Sequence, residues 1–194
     1  MINLAVMRYS HSCWITDYVG TDPDICAGIR GGANELFPAV HNHQSFYFPK
    51  ECEDAKAEFP TAAVLAHFAG VLGVGQWLCR VSECHLDEFA RLVRRYGEVR
   101  DYLKGDYYRL IRAVDRRGWE AWQFHDPERG AGILIVLRLS ENTQSGIHFS
   151  LRGFFASLPP QVRVIEGTAH VSVEKSDVTL DLKTSRACLL HYTS

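Results

Sequence analysis

Eight short segments of strand character fill the last ninety residues, and no other feature limits the fold as tightly. They are 107–112, 119–124, 132–139, 147–152, 162–165, 170–174, 178–183 and 187–192. Turn chemistry separates them: 115–118, Asp126-Pro127-Glu128-Arg129-Gly130, 142–146, 157–160, Glu166-Gly167, Ser176 and Thr184-Ser185. Short strands at this spacing predict an antiparallel β-sandwich. The segment Ile147-His148-Phe149-Ser150-Leu151-Arg152 alternates, so one face should be buried and the other wet. Ile133-Leu134-Ile135-Val136-Leu137 is apolar throughout and predicts a central strand covered on both faces. Pro159-Pro160 lacks the amide hydrogens a paired strand needs and marks a connection.

The first hundred residues read as helix and loop. Over 86–103, Leu86, Phe89, Leu92, Val93, Tyr96, Val99 and Leu103 recur at three- and four-residue steps, with charged residues mainly opposite. That is an amphipathic helix, supported by an Asp87–Arg91 i,i+4 pair and stopped near Gly105. A second helix is expected over 61–72, after Pro60 and before the glycines at 70, 73 and 75. A third begins with Asp22 as N-cap, Pro23 at the first helical position and Asp24 in the first turn, and stops near Gly31-Gly32. Residues 33–56 read as an ordered loop rich in aromatics and histidine, and 2–7 as a strand or short helical segment.

Composition excludes several classes. The 194 residues are 46% apolar and 23% charged, so wholesale disorder is out. Twenty-one basic against 23 acidic residues give a net charge of −2, which is not the footprint of a nucleic-acid or anionic-membrane binder. No apolar run reaches the ~18 residues of a membrane span. The opening residues lack the features of a signal peptide. Six scattered cysteines with no Cys-x-x-Cys pair suggest a reducing, cytoplasmic setting in which most act as small buried hydrophobes.

The densest polar cluster lies between Ser10 and Asp24. Asp17 follows the apolar Trp14-Ile15 and precedes a helix start, which is where α/β barrel enzymes place catalytic acids. A capping role competes for these aspartates, most of all for Asp22. His41 and His43 supply at most two metal ligands, too few for a site. Cys79 and Cys84 lack a second pair. Trp119, Trp122 and Phe124 fit a core better than a sugar platform, and His11 with Cys13 is a weak thiol-nucleophile pattern. Gly70-Val71-Leu72-Gly73-Val74-Gly75 has neither the Lys nor the preceding strand of a phosphate loop. No cofactor and no metal is expected.

Several segments, taken in order, resemble glycoside hydrolase family 36, the melibiase or α-galactosidase family. Asn3-Leu4-Ala5-Val6-Met7 followed by Trp14-Ile15-Thr16-Asp17 is similar to the family's Asp-Leu-Gly…Trp-x-Ser-Asp stretch. Phe37-Pro38 with His41 to His43, then Ala66-His67-Phe68-Ala69-Gly70, resemble the family's loop and apolar segment beyond the last barrel helix. Helix 86–103, then Lys104-Gly105-Asp106-Tyr107-Tyr108-Arg109-Leu110, Trp119-Glu120-Ala121-Trp122-Gln123-Phe124 and Asp126-Pro127-Glu128-Arg129-Gly130, resemble the lead-in and start of its C-terminal sandwich. Thr16 replaces the family's Ser, Asn3 its Asp, and the stretch between Asp17 and Asp22 is two residues longer. No Lys-Trp-Asp, the context of the family's nucleophile, occurs in the chain.

The resemblance implies an α+β architecture: the last strand and helix of a (β/α)8 barrel plus a helical linker over 1–104, then an antiparallel β-sandwich over 105–194. It implies the C-terminal part of a retaining hydrolase of terminal α-linked galactosides, with Asp17 as general acid/base and Trp14 and Asp22 as substrate-binding candidates. The partner is then a carbohydrate, with no nucleic acid or membrane, and with association through a homo-oligomer or the rest of a barrel. An exposed apolar patch is expected around residues 1–35. The substrate loop and the nucleophile strand would lie upstream of residue 1, so the chain alone is expected to be inactive. Two other readings stay open: a non-catalytic sandwich module for sugar binding or assembly, and a degenerate pseudoenzyme.

Overall fold

The structure is a computed structural model that describes residues 13–16, 18, 21–76, 78–153 and 159–193. The expectation for residues 2–7 falls outside them, and so does Asp17.

All eight strands expected in the second half are present, as β4 (Asp106–Ile111), β5 (Trp119–Asp126), β6 (Ala131–Arg138), β7 (Gly146–Ser150), β8 (Gln161–Gly167), β9 (His170–Glu174), β10 (Asp177–Asp181) and β11 (Ala187–Thr193). They form two antiparallel sheets, a five-stranded one in the order β4-β5-β6-β11-β8 and a three-stranded one in the order β7-β10-β9. The unbroken apolar run lies in β6 at the centre of the larger sheet, every residue from Ile133 to Leu137 being buried. Its alternate side chains divide between two cores. Ile133, Ile135 and Leu137 face the helices, while Leu134 and Val136 face the smaller sheet with Val178, Leu180 and Leu190. A strand between two apolar layers has no wet face, so its sequence shows no alternation. Trp122 and Phe124 point into the helical core and Trp119 into the other, all three buried. None of these rings is offered to solvent as a sugar platform.

In the first half, strands β1 (Cys13–Trp14), β2 (Asn42–Phe46) and β3 (Val71–Val74) form a parallel sheet in the order β1-β2-β3. Helices α1 (Pro23–Asn34) and α2 (Thr61–His67) make the crossovers. The described residues close no barrel, and the sheet holds three strands rather than the single terminal strand expected. Strand β2 lies inside the expected loop 33–56. Its residues Asn42-His43-Gln44-Ser45-Phe46 are mostly polar, so patterning carries no strand signal; the strand is held to α1 through its main-chain carbonyls and the Asn42 amide, while the buried Gln44 side chain has no hydrogen-bond partner among the described residues. Arg30 of α1 is fully buried and donates to the carbonyls of Asn42 (2.6 Å), Gln44 (3.4 Å) and Val71 (3.1 Å). Asn34 donates to Ala69 O and accepts from Asn42 Nδ2, both at 2.7 Å. Burial pulls the Arg30 pKa down to about 10, still far above neutral pH.

Helix boundaries shift for local reasons. Asp22 caps α1, its Oδ1 accepting from Asp24 N at 2.9 Å. The helix continues through Gly31-Gly32 to Asn34, because Gly31 is where the Arg109 guanidinium lies against it; an added Cβ would sit 2.7 Å from Arg109 Cζ. Helix α2 ends at His67 rather than 72, since 71–74 pair with β2. Helix α3 (Glu83–Val99) runs into a 3-10 turn, Arg100–Lys104. Phe89, Leu92 and Val99 are buried as the periodicity requires, but Val93 is 40% exposed. Arg91 does not pair with Asp87. It binds both Glu166 carboxylate oxygens at 2.6 and 2.7 Å, and Glu88 at 2.7 and 2.9 Å, tying α3 to β8.

His67 has a measurable consequence. It is fully buried, and its Nδ1 lies 2.8 Å from Ala63 O, so that nitrogen carries the proton. Burial first, then the Arg30 charge, hold its pKa at about 4, against 6.5 for a free histidine. Between those values the unfolded chain binds a proton that the folded chain refuses, so stability falls as pH drops from about 6.5 to about 4. The loss should be about 3 kcal/mol. Urea melts at pH 7 and pH 4 on wild type and His67→Gln should show that part of the pH dependence missing from the variant.

Candidate functional site

In parallel α/β sheets, chemistry collects at the C-terminal strand ends, where the βα loops begin. Here those ends lie side by side. Ile15 N donates to His43 O at 3.2 Å, Gly75 N to Phe46 O at 3.3 Å, and Gln76 Oε1 accepts from Phe48 N at 2.5 Å. The rim is therefore built by the segments after Trp14, Phe46 and Val74, and Asp17 belongs in sequence to the first of them.

The two faces of this sheet differ. Phe46 and Leu72 pack among the helices. On the opposite face stand Trp14, His43, Ser45 and Gly73, of which His43 and Gly73 are partly exposed and Ser45 is buried. Trp14 is 44% exposed and meets the His43 ring edge-on at 4.9 Å. Gly73 is required there, since a side chain would strike His43 Nε2. Burial first, and then the Arg30 charge behind the sheet, push the His43 pKa down, so the imidazole is neutral at pH 7. Parallel sheets are normally covered on both faces; among the described residues this face is exposed at Trp14 and only in part at His43 and Gly73. Among its described residues none is a carboxylate.

The loop between β1 and α1 is anchored on both sides of Asp17. Thr16 Oγ1 accepts from Tyr18 N at 3.0 Å, and the Tyr18 hydroxyl accepts from Asp22 N at 3.3 Å. Asp22, besides capping α1, accepts from Arg116 Nη2 at 2.8 Å, a contact from the β4–β5 connection of the sandwich. Asp24 is buried deeper, its side chain only 3% exposed. Its carboxylate accepts from Ser140 N, from Ser140 Oγ at 2.5 Å and from Arg186 Nη2 at 2.7 Å. The sandwich therefore grips the start of α1 by two aspartates. Neither Asp22 nor Asp24 faces the open side of the sheet.

Of the three residues singled out by sequence, Trp14 stands on the open face, Asp22 stands at the cap beneath it, and Asp17 lies outside the described residues. His43, Ser45 and Gly73 escaped notice as neighbours of Trp14. The signal available was the period-two alternation of His43 and Ser45 against Asn42, Gln44 and Phe46, masked by the polarity of both sets. His41 and His43 join no metal cluster; among the described residues no three His, Cys, Asp or Glu side chains are grouped to hold an ion. The six cysteines form no disulfide, and Cys79 and Cys84 are exposed. No helix among the described residues is long and apolar enough to cross a membrane. Trp14 and Ile25 are the exposed large apolar side chains described within residues 1–35.

No protein-family model matches the sequence, and no curated protein matches it. Solved structures do. The chain is similar to the glycoside hydrolase family 36 α-galactosidase AgaB from Geobacillus stearothermophilus, with a TM-score of 0.77 and 16% identity over 97% of this chain. The α-galactosidase from Lactobacillus brevis gives a TM-score of 0.77 at 16% identity over 98% of the chain. A variant of AgaA from Geobacillus stearothermophilus, in complex with raffinose, gives 0.75 at 16% identity over 97%. The chain spans only about a quarter of these proteins, 26 to 27% of their length. At this identity the likeness establishes a shared fold, and its extent fits a C-terminal portion of that architecture.

Proposed function

We propose that this chain is the C-terminal part of an α-galactosidase-like retaining glycoside hydrolase, and that Asp17 is its general acid/base. The observation that carries the reading is the open face of the parallel sheet, with Asp17 following the C-terminal end of β1, in a chain whose whole described fold matches part of such enzymes. A retaining glycosidase sets two carboxyl groups about 5–5.5 Å apart, one to attack the anomeric carbon and one to protonate the leaving oxygen. Asp17 supplies one. The described open face supplies no second, so the nucleophile comes from structure that packs on that face. Trp14, beside Asp17 in sequence and exposed on the open face, is the substrate-contacting side chain in this reading. Asp22 acts by holding the loop through its cap and Arg116. The substrate is a terminal α-linked galactoside, and the setting is cytoplasmic.

The test is a transplant. The chain alone should show no turnover of an aryl α-galactoside, and measurable turnover would contradict the assignment of the nucleophile elsewhere. Put in place of the matching quarter of AgaB, it should support hydrolysis above background. A folded chimera that binds deoxygalactonojirimycin but never turns over would instead favour a non-catalytic module.

A further inference from the structure

A cleft of about 540 Å³ lies between the β2–α2 connection, the start of α1 at Thr21 and Pro23, and two turns of the sandwich, around Gly167 and Thr184-Ser185. Ligand-binding cavities fall at about 300–1,000 Å³ and combine an apolar wall with a few convergent polar groups. Here Phe59 and Pro60 give the apolar wall. Opposite them stand the hydroxyls of Thr184 and Ser185, with Thr61 at the base, and none of the three makes a side-chain hydrogen bond among the described residues. The lining carries two carboxylates, Glu58 and Glu166, against one guanidinium, Arg186. Glu58 is exposed and unpaired among the described residues, and Arg186 is already half committed to Asp24. Glu166 is taken up by Arg91.

Three hydroxyls without a side-chain partner, in a cleft that also has an aromatic and a proline wall, suit a molecule that has apolar C–H faces and a rim of hydroxyls. We propose that this cleft is a second, non-catalytic binding site for a neutral polyhydroxylated ligand of the oligosaccharide class. Anions are disfavoured because Arg186 is already paired with Asp24 while Glu58 is left as a surplus carboxylate, and apolar ligands because three hydroxyls would lose their water. The proposal is independent of the role assigned to Asp17.

The experiment is an amide NMR titration of the chain with raffinose, with sodium sulfate as the anionic comparison. Raffinose should give saturable shifts at Thr61, Gly167, Thr184 and Ser185, with a Kd on the order of 1–10 mM. The double variant Thr184→Val, Ser185→Ala lies in an exposed turn and should keep the wild-type amide spectrum elsewhere. It should weaken binding about tenfold, through the loss of two hydrogen bonds. Shifts at these amides with sulfate but not raffinose, no saturable shift with either, or raffinose binding unchanged by the double variant would each overturn the proposal. Shifts confined to Trp14 and His43 would overturn it too, while leaving the reading of the open sheet face intact.

Discussion

Glu120→Ala should cost about 3–5 kcal/mol of folding stability. Glu120 lies on β5 with its side chain 2% exposed. Its carboxylate accepts from Arg109 Nε (2.9 Å) and Nη2 (2.5 Å), from Trp122 Nε1 (2.9 Å) and from Ala113 N (3.0 Å). Arg109, itself 6% exposed on its side chain, also reaches Glu35 after α1 at 3.2 Å. Removing the carboxylate leaves the buried Arg109 guanidinium with Glu35 alone and takes the acceptor from the buried Trp122 Nε1–H and the part-buried Ala113 N–H, and that penalty exceeds what the intact pair contributes. A urea melt should show a lower midpoint with an unchanged slope. The double variant Arg109→Met, Glu120→Leu should recover much of the loss, because an apolar pair of similar volume carries no desolvation penalty. If Glu120→Ala cost under about 1 kcal/mol, the pair would be behaving as a surface ion pair, and α1 would have to be fixed to the sandwich by other contacts.

That fixation matters because it holds the loop that carries Asp17. The start of α1 is held through Asp22 and Asp24, and its end through Gly31, Glu35 and Arg109. A general acid has to be placed within hydrogen-bond reach of the leaving oxygen, and in the proposed reading a loop that leads into a helix gripped by the sandwich is a suitable mount.

The sandwich was legible in the sequence because its strands obey simple rules. Alternation, turn residues and one unbroken apolar run each map onto an element, and β9 matches its expected span, 170–174, residue for residue. The parallel sheet was not legible. Strand β2 is polar at four of its five positions, so it has the composition of a loop, because what holds it to Arg30 is its main-chain carbonyls, and β3, Val71-Leu72-Gly73-Val74, looks like the frayed end of a helix. Its glycine is present to admit His43, a contact that exists only after folding. The Arg91 pair failed for a similar reason. Helix spacing offered Asp87, but Glu166, 75 residues away in sequence, offers a two-pronged partner that local spacing cannot reveal. Asp22 as a cap was readable because Asp-Pro-Asp is a local signal. That Asp22 also binds Arg116 was not.

Asp17→Ala carries the second large effect. In the AgaB transplant it should lower hydrolysis of raffinose about 10²- to 10⁴-fold, the range a positioned general acid supplies. An aryl α-galactoside with a good leaving group needs little protonation, so its glycosylation step should fall far less. A residue that only shapes the loop would lower both substrates together, through misplacement rather than lost proton transfer. Asp22→Ala serves as the comparison, because it loosens the α1 cap without removing an acid and should affect the two substrates alike.

The most direct test of Asp17 as the general acid is therefore the ratio of kcat/KM for the aryl galactoside to that for raffinose, measured in the transplant with and without Asp17. Asp17→Ala should raise this ratio by about 10²-fold or more, with most of the loss on raffinose. Equal losses on the two substrates, or no loss on either, would contradict that role.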